Sequence, residues 1–397
     1  MKEGWTYKKL GEVCSKGRNI KWDIVADTTT YKYIDLTSVD RGDLRIHNPQ
    51  TISKSDAPSR AKQIVELGDI IFATTRPTLR RVSLIDEGFD GDICSTGFCV
   101  LRPQKDKITS KWIFYVLLYD GFYNYIEPLQ TGASYPAVTD NIVKDYTLPV
   151  PSLSEQQRIV SRLDSAFAHI DERKANAEKQ LSEARALFQK ALTKAMEPKV
   201  GWEEKTLSSI VHKDCSLSYG IVQPGDHKED GVPVVRPVDF NNKVVVGLEG
   251  LKRTDKEISD AYKRTILKGG EILFCVRGTT GTMGLASKEL KGCNVTRGIV
   301  PIYFDKEINL LFMYYQLLSP SLQDEIQRKT TGAALKQINI KDLRNLQLFV
   351  PSLSEQQRIV SRLDSLSAHV RELEEVLQKT IAECDALKQA LLRQVFE

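Results

Sequence analysis

A chain of 397 residues is too long for one ordinary hydrophobic core, so its length predicts two or more domains of about 150 to 200 residues each. Lysine and arginine number 56 against 52 for aspartate and glutamate, and a net charge of +4 argues against a strongly basic, non-specific nucleic-acid binder. The seven cysteines form no CxxC pair and are odd in number, which argues against a zinc ribbon and against a disulfide framework.

The cellular compartment follows from the same features. No stretch approaches 18 consecutive apolar residues, and the segment from Met1 to Trp5 lacks the apolar core of a signal peptide. Unpaired cysteines suit a reducing environment. We therefore expect a cytoplasmic protein with no membrane span.

The first 150 residues predict a β-rich domain that ends with helix and strand. Segments rich in Val, Ile, Phe and Tyr lie between Gly, Pro and Asp breakers, at residues 31–36, 69–73 and 93–101. A helical stretch, Lys111 to Tyr125, precedes the loop Thr131-Gly132-Ala133 and a return strand that ends at Pro151. This order of elements predicts an α+β domain.

Two loops of this domain carry side chains suited to DNA. One follows the second predicted strand and combines arginines with hydroxyls, the donors that contact phosphates and base edges: Thr74, Thr75, Arg76, Thr78, Arg80 and Arg81. The other is the tip of the Thr-Gly-Ala loop, with Ser134 and Tyr135. The alternative for any one of these arginines is a solvated turn residue.

A long helix is predicted after Pro151. Ser152 with Glu155 and Ser154 with Gln157 form overlapping capping boxes. Apolar side chains then recur at the spacing of one helix face: Ile159, Leu163, Phe167, Ile170, Ala177, Leu181, Ala184, Phe188 and Ala195. About 44 residues before Pro198 would span roughly 65 Å, and so narrow a stripe favours pairing with a second helix over folding as a lid onto its own domain.

The second half of the chain repeats the first with an offset of 200 residues. Residues 150–165 and 350–365 read identically, VPSLSEQQRIVSRLDS, and Thr131-Gly132-Ala133 recurs as Thr331-Gly332-Ala333. Strands are predicted at 232–240, 271–276 and 299–304, a helix at 310–328, and a second long helix after Pro351. Its apolar face is Ile359, Leu363, Leu366, Val370, Leu373, Leu377, Cys384, Leu387 and Leu391.

The corresponding loops of the second copy keep the arginine and change the rest. They hold Arg277, Thr279 and Thr280 after a strand, and Lys336 and Gln337 beyond the Thr-Gly-Ala loop. A duplicated enzyme would keep its reactive residues in both copies, whereas a duplicated reader needs to keep only its frame. The repeat therefore favours two binding surfaces with different targets, against the alternative of duplication followed by drift.

Motifs for catalysis are missing from the sequence. The glycine-rich segment Gly278 to Gly284 lacks the lysine of a phosphate-binding loop and is expected to be a hairpin loop. The five histidines form no HExxH, the pair His212 and Cys215 lacks two further ligands, and no Gly-x-Ser-x-Gly elbow occurs. His169 and His369 are expected to be helix-face or packing residues. We predict no catalytic centre, no metal and no cofactor.

This layout resembles the specificity subunit of type I restriction-modification enzymes over the whole chain. The Pro-Ser-Leu-Ser-Glu-Gln runs at Pro151 and Pro351 look like the family's helix starts, and residues 231–239 look like its segment ending in Arg-x-x-Asp. The resemblance implies that Arg236 contacts DNA and that partners bind at the helix starts, through Glu155, Gln156, Glu355 and Gln356. The first copy has Tyr33-Ile34-Asp35-Leu36 instead, so the role of Arg236 does not transfer to it.

The resemblance also implies an architecture and a set of partners. The fold would be α+β, two β-rich target recognition domains separated by a pair of long antiparallel helices, related by a pseudo-twofold repeat. The expected division is 1–150 and 199–350 for the recognition domains, with 151–198 and 351–397 for the helical regions. Each recognition domain would read half of a bipartite site on double-stranded DNA, the helices would set the unread gap, and two methyltransferase subunits and restriction (translocase) subunits would join this non-catalytic chain. The rival hypothesis is a protein-interaction scaffold with a coiled-coil docking arm.

Overall fold

The computed structural model describes residues 4–240, 245–332 and 335–397, so Ala333 of the second Thr-Gly-Ala loop lies outside the described residues. The chain divides into two compact units, Met1–Glu178 with Gln378–Glu397, and Lys179–Leu377. Each unit therefore combines one β-rich copy with a part of both long helices.

The described residues of the first unit form three β-sheets and short helices. Its strands are β1 (Thr6–Lys9), β2 (Cys14–Ser15), β3 (Arg18–Asn19), β4 (Thr30–Ile34), β5 (Gln50–Ser53), β6 (Ala61–Ile64), β7 (Ile70–Ala73), β8 (Val82–Leu84), β9 (Ile93–Ser95), β10 (Phe98–Pro103) and β11 (Thr147–Val150). Its short helices are α1 (Leu10–Val13), α2 (Ser110–Leu118), α3 (Asp120–Ile126) and α4 (Asp140–Asp145). Among the described residues the strand orders are β3-β6-β9-β4-β5, β2-β10-β7-β8 and β1-β11.

The second unit repeats this plan. After α5 (Leu153–Met196), its strands are β12 (Glu203–Thr206), β13 (Val232–Val235), β14 (Val245–Val246), β15 (Lys252–Thr254), β16 (Ile272–Cys275), β17 (Met283–Ala286), β18 (Asn294–Val295), β19 (Ile299–Ile302), β20 (Thr330–Thr331), β21 (Gln337–Ile338) and β22 (Gln347–Val350). Its helices are α6 (Leu207–Ile210), α7 (Lys256–Ala261), α8 (Leu310–Leu318), α9 (Pro320–Lys329), α10 (Ile340–Arg344) and α11 (Leu353–Phe396). Within the described ranges the strand orders are β14-β17-β16-β19, β15-β13-β18, β12-β22 and β20-β21. The parallel pair β13–β18 matches the parallel pair β4–β9 of the first unit.

The predicted helical stretch of each copy is wrong in one respect, because each is two helices. In the second copy Pro320 occupies the first turn of α9, and Ser319 before it is extended, as residues before proline prefer. In the first copy Tyr119 is extended between α2 and α3, and a Cβ atom at Gly121 would lie 2.2 Å from its ring. Gly121 thus leaves room for the tyrosine at the break.

The predicted strands are also shorter than expected in two places. Residues 93–101 form the two strands β9 and β10 rather than one, and residues 232–240 form β13 followed by a 3-10 turn at Pro237–Phe240. Pro237 has no backbone N–H for a sheet ladder, which explains why the strand stops. The segment from Gly278 to Gly284 contains the loop between the antiparallel strands β16 and β17 and the first two residues of β17, which confirms the hairpin.

The two long helices pack antiparallel. In the first unit Lys174 of α5 pairs with Asp385 of α11, and one turn earlier Asp171 pairs with Lys388, so the numbers fall along one helix as they rise along the other. In the second unit Arg185 pairs with Glu374. The predicted antiparallel pair and the start of each helix just after Pro151 and Pro351 are confirmed.

The buried seam of each helix follows a strict seven-residue repeat. The side chains in it are Leu163, Ile170, Ala177 and Ala184 on α5, and Leu363, Val370, Leu377 and Cys384 on α11, all less than 9% exposed except the half-buried Val370. A second row of half-buried side chains lies four residues after each residue of the first row. The residues three after each first-row residue therefore lie outside the seam and face solvent. Leu373 and Leu387, expected on the apolar face, are 42% and 51% exposed for this reason.

The ends of the long helices complete the core of each β-rich copy. In the first unit Leu392 and Phe396 join the cluster around Trp112, whose ring meets Phe396 edge-on with centroids 5.2 Å apart. In the second unit Leu192 and Met196 do the same beside Phe312. Each copy therefore buries apolar surface of both long helices, which ties them to the domain.

Candidate nucleic-acid interface

The two candidate loops of the first copy lie side by side. The Arg76 amide donates to the Pro136 carbonyl over 2.6 Å, and the Val138 amide donates to the Thr74 carbonyl over 2.9 Å. Residues 74–81 and 131–138 therefore form one surface, which we name the first loop pair. The sequence predicted both loops separately, and the structure brings them together.

The second copy joins its loops with the same backbone pattern. The Gly278 amide donates to the Lys336 carbonyl over 2.8 Å, and the Ile338 amide donates to the Val276 carbonyl over 3.0 Å. We name the described residues of 276–282 and 331–338 the second loop pair. Equivalent hydrogen bonds in the two copies show that the frame of this surface is shared although its side chains differ.

Each loop pair is anchored at its base to the glycine of a neighbouring turn. The amide and hydroxyl of Thr74 both donate to the Gly97 carbonyl, over 2.8 and 2.9 Å, and the Val276 amide donates to the Gly298 carbonyl over 2.8 Å. Thr74 is buried and its hydroxyl is engaged in this anchor. The prediction that Thr74 binds DNA is therefore corrected, since this residue positions the loop.

Arg76 and Tyr135 form the exposed tip of the first loop pair. The guanidinium lies over the tyrosine ring, 4.7 Å from its centroid, and Nη2 donates to the Ser134 carbonyl over 3.3 Å. Tyr135 is 68% exposed. Arg76 has a backbone φ of 50°, in the left-handed region that non-glycine residues seldom adopt and that often marks binding sites. The planar fork of an arginine held on an aromatic face suits bidentate contact with a guanine edge.

The other arginines of this loop have different surroundings. The Arg80 guanidinium pairs with Asp120 over 2.6 Å and lies 4.2 Å from the centroid of the Tyr123 ring, so it fastens the loop to α3. One nitrogen of the guanidinium is used in this ion pair and the side chain is 43% exposed, so the predicted contact of Arg80 with DNA stays a prediction. Arg81 is half-buried, and its Nε has no hydrogen-bond partner among the described residues. Thr78 is exposed and Thr75 half-buried at the rim of the same surface.

In the second loop pair, polar atoms are left without protein partners. Among the described residues, neither the buried Nε of Arg277 nor the buried hydroxyl of Thr280 has a hydrogen-bond partner. Thr279 and Lys336 are exposed, and Gln337 pairs with Arg277 through a backbone bridge. A buried donor without a partner is costly in a protein interior. The second loop pair thus combines an exposed cation with donors that a ligand could satisfy.

Two glutamines of α9 that the sequence analysis missed hold the second loop pair. Gln323 donates to the Gly281 carbonyl over 3.1 Å, and Gln327 donates to the Thr280 carbonyl over 3.0 Å. Their spacing of four residues places both on one face of the helix. That spacing was the available signal, but nothing in the sequence showed which loop the face would meet.

Arg236 lies in the turn after β13, beside the second loop pair. Its guanidinium and its backbone amide both donate to Asp239, with the closest guanidinium contact at 2.8 Å, and this hydrogen bonding raises the pKa of Arg236. A Cβ atom at Gly298 would come within 2.9 Å of Pro237, so the turn touches the anchor of the loop pair. In the first copy the Asp35 carboxylate instead accepts hydrogen bonds from Thr37 and Ser38. The two copies therefore differ here, as the sequence indicated.

Gln156 and Gln356 make the same buried joint in the two copies. Gln156 is 0% exposed: its Oε1 accepts from the Thr109 amide over 2.9 Å, and its Nε2 donates to the carbonyls of Lys107 and Pro151. Gln356 is 1% exposed and bonds the Asn309 amide and the carbonyls of Glu307 and Pro351 in the same way. The prediction that these glutamines contact a partner is corrected, because their amides are buried and used to join each long helix to its own domain.

A second tie between helix and domain also recurs. The Tyr115 hydroxyl donates to Asp164 over 2.7 Å, and the Tyr315 hydroxyl donates to Asp364 over 2.5 Å. Burial first, and then the carboxylate, raise the pKa of both tyrosines well above the ordinary value. The hydroxyls stay protonated and keep donating.

Glu155 and Glu355 lie at the surface of the helix starts. Glu155 accepts two hydrogen bonds from Arg158, over 2.8 and 2.6 Å, and this hydrogen bonding lowers the pKa of Glu155. Glu355 lies 3.4 Å from Arg358 and 3.7 Å from Lys199. Both carboxylates remain accessible, so their predicted contact with a partner stays a prediction.

Neither a metal centre nor a membrane span is found in the part of the chain that the structure describes. No group of three or more His, Cys, Asp or Glu side chains there is placed to hold a metal ion. No helix within the described ranges is long and apolar enough to cross a membrane. His169 and His369 are exposed on the long helices, as helix-face residues.

Comparison with known proteins gives the family. The model of the type I restriction modification DNA specificity domain matches residues 2–182 and again 199–383. The chain belongs to this family. Two matches in succession cover both copies of the repeat, so each copy is one specificity domain.

Individual relatives agree. The chain is 28% identical over 346 residues to the EcoBI type I specificity subunit of Escherichia coli, which covers 78% of this chain and 72% of that subunit. It is 26% identical over 337 residues to the EcoKI specificity subunit of E. coli strain K12, and the match covers 76% of this chain and 68% of that subunit. Similarity thus extends over most of the length of known specificity subunits.

Solved structures share the fold. A chain from a study of complex assembly and conformational transition of the type I R-M system superposes with a TM-score of 0.83 at 28% identity, covering 99% of this chain and 97% of that one. The HsdS subunit of Thermoanaerobacter tengcongensis superposes with a TM-score of 0.58 at 27% identity, and the match covers 100% of this chain and 97% of that subunit. The chain has the architecture of a type I specificity subunit.

Proposed function

We propose that this specificity subunit binds double-stranded DNA through its two loop pairs, each reading one half of a bipartite site. The observation that carries the proposal is the shared backbone frame of the loop pairs with different side chains at the tips. Arg76 and Tyr135 present a stacked guanidinium in one copy, and Arg277, Thr279 and Lys336 present cations and a hydroxyl in the other. Sequence is read by such donors at base edges, and phosphates are held by the cations.

We assign further residues to this interface by position. Thr75, Thr78 and Arg81 surround Arg76, and Thr280, Gln337 and Arg236 surround Arg277. The buried Arg277 Nε and Thr280 hydroxyl, which have no partner among the described residues, would gain one from DNA or from an ordered water at the interface. Arg80 is assigned to the same interface, beside Asp120, whereas the buried Thr74 shapes the loop without touching bases.

The chain is proposed to be non-catalytic and to direct separate subunits. In this assignment two methyltransferase subunits dock along the long helices, and restriction (translocase) subunits join the complex. Glu155 supports a docking point at the first helix start, since it lines a hollow of about 530 Å³ together with Trp5, Arg158, Arg162 and Leu391. Apolar walls with charged rims are typical of protein interfaces.

The domain division and location follow the same proposal. We assign 1–150 and 199–350 to target recognition and 151–198 and 351–397 to the helical regions that set the unread gap. The complex would work in the cytoplasm, where free cysteines such as the seven of this chain stay reduced.

The experiment is a methylation assay of the assembled complex on a library of bipartite sites. Arg76→Ala is expected to relax base selection in one half-site and Arg277→Ala in the other, each by about 1–3 kcal/mol of discrimination. Arg18→Ala is the matched control, because Arg18 is an exposed arginine of the first copy that pairs with Glu66 and belongs to neither loop pair. Binding that shows no steep dependence on salt, or one contiguous recognised tract, would favour the scaffold hypothesis instead.

A further inference from the structure

The ion pairs between the long helices have opposite polarity in the two repeats. Lys174 of α5 bonds both carboxylate oxygens of Asp385, over 2.8 and 2.9 Å. The residues 200 positions away are Glu374 and Arg185, and these also pair, over 2.7 Å. The same two structural positions are thus occupied by Lys and Asp in the first unit and by Glu and Arg in the second.

As a result, all the positive charge of these two pairs is on one helix. Lys174 and Arg185 both belong to α5, and Glu374 and Asp385 both belong to α11. If two copies of α5 paired in this register, Lys174 would face Arg185. If two copies of α11 paired, Glu374 would face Asp385. Like charges at such distances repel, whereas the observed pairing makes only attractive contacts.

A third pair adds to the difference for α11. Asp171 of α5 pairs with Lys388 of α11, which also lies 5.1 Å from the centroid of the Phe167 ring. The residues 200 positions away are Arg371 and Phe188. Two copies of α11 would therefore place Arg371 against Lys388, a second repulsive contact.

The apolar seams of the two helices discriminate weakly between partners, so the charges beside them matter. The seam residues at equivalent positions are Leu163 and Leu363, Ile170 and Val370, Ala177 and Leu377, and Ala184 and Cys384, which are all apolar and differ strongly in size only at Ala177 and Leu377. Residues 150–165 and 350–365, which contain the start of each long helix, are identical. Charged residues beside a seam are the means by which coiled coils choose partners.

We infer that the reversed ion pairs make the helix pairing heterospecific, so that α5 accepts α11 and rejects a second α5, and α11 rejects a second α11. The partner that this surface fits is the other repeat of the chain. The inference depends on the helix register alone and is independent of the proposed DNA contacts.

The test uses full-length variants that impose each self-pairing on the native helices. E374K/D385R gives both pairs the charges of two α5 helices, and K174E/R185D gives them the charges of two α11 helices. E374Q/D385N is the neutral control, and the fourfold variant K174E/R185D/E374K/D385R restores opposite charges with the polarity reversed. Calorimetric melting is measured at 20 mM and at 1 M salt.

Both like-charge variants are expected to melt roughly 2–4 °C below the neutral variant at low salt. The fourfold variant should return to the wild-type melting temperature, and the difference should vanish at 1 M salt, where the Debye length is about 3 Å. A like-charge variant that fails to fold while the fourfold variant folds would also support the inference. Equal melting of the like-charge and neutral variants, or failure of the fourfold variant to recover, would overturn it.

Discussion

At the residue scale, the exposed tip of the first loop pair depends on an aromatic ring as much as on a cation. An arginine at the surface has several rotamers, and fixing one of them costs conformational entropy. Tyr135 limits that freedom by providing a face for the Arg76 guanidinium, 4.7 Å from the ring centroid. In the proposed interface, the pair therefore presents a partly ordered fork to DNA, which favours selectivity over simple attraction.

This role of Tyr135 is testable by separating its ring from its hydroxyl. Tyr135→Phe keeps the ring and is expected to leave base selection in the first half-site unchanged. Tyr135→Leu loses the ring and should reduce discrimination by about 0.5–1 kcal/mol, the value of an exposed cation–π contact. Competition binding with substituted half-sites measures both. Equal effects of the two variants would mean that the ring has no part in reading.

At the element scale, each long helix is joined to its domain by a buried glutamine with three neutral hydrogen bonds. Gln156 and Gln356 are the only buried polar side chains that the described parts of α5 and α11 carry, and each bonds one amide and two carbonyls of its own unit. This joint gives a physical reason for the identical helix starts. Each side chain bonds backbone groups at equivalent positions of its own copy, so its loss in either copy would leave the same kinds of group without a partner.

Gln156→Leu is expected to lower the free energy of unfolding by about 2–4 kcal/mol. The substitution leaves the Thr109 amide and two carbonyls buried without partners, at about 1–3 kcal/mol for an unsatisfied group. Gln157→Leu is the matched control, since the neighbouring glutamine is exposed, and it should stay within about 0.5 kcal/mol of wild type. Urea unfolding of both variants measures the difference.

A looser joint should also affect function in a specific way. If Gln156 fixes the direction of α5 relative to its domain, the Gln156→Leu complex should methylate sites with altered gap lengths while keeping its choice of bases. A change in base selection together with unchanged gap preference would contradict this positioning role.

The sequence predicted much of this fold, and the failures have identifiable causes. Strand and helix positions followed from periodicity, and the repeat showed where the second copy begins. The direction of side chains on the long helices was harder to predict. Three-and-four spacing placed Leu373 on the apolar face, but the buried seam is a row of residues seven apart, Glu374 lies beside that row, and Leu373 is exposed. Gln156 was assigned to a partner because a surface helix start and a buried joint look the same in sequence.

The candidate site was predicted in outline for a similar reason. Arginines and hydroxyls marked both loops, but only tertiary contacts distinguish Arg76 from Arg80. Asp120 and Tyr123 are 40 and more residues away from Arg80 in the chain, and no local pattern connects them. The backbone bonds that unite the two loops are likewise non-local.

At the scale of the whole molecule, the two ion-paired helix segments share one register. The two residue numbers of each ion pair add to the same total. The point at which paired residues are 200 positions apart, the centre of the register, therefore lies between Lys179 and Gln180 on α5 and between Lys379 and Thr380 on α11. Changing the length of one helix alone would shift one set of pairs against the other. A change of gap therefore requires insertions in both helices.

Four residues inserted after Lys179 and four after Lys379 are expected to lengthen the unread gap by roughly two base pairs, since one helical turn adds about 6 Å. Both half-sites should stay the same, because the loop pairs are untouched. The same insertion in α5 alone, for example near Ala184, is the control that should reduce stability. Methylation of sites with graded gaps measures the shift, and an unchanged optimum in the doubly extended chain would refute the helices as a spacer.

The glutamine joints are neutral and buried, whereas the loop tips are cationic and exposed, so salt affects the two differently. Hydrogen bonds between uncharged amides in a dry interior respond little to added electrolyte, whereas attraction to a polyanion weakens steeply. A rise in intracellular potassium would therefore weaken the binding of this protein to DNA without changing how either long helix is joined to its domain. Complexes that re-form afterwards would select the same DNA sites.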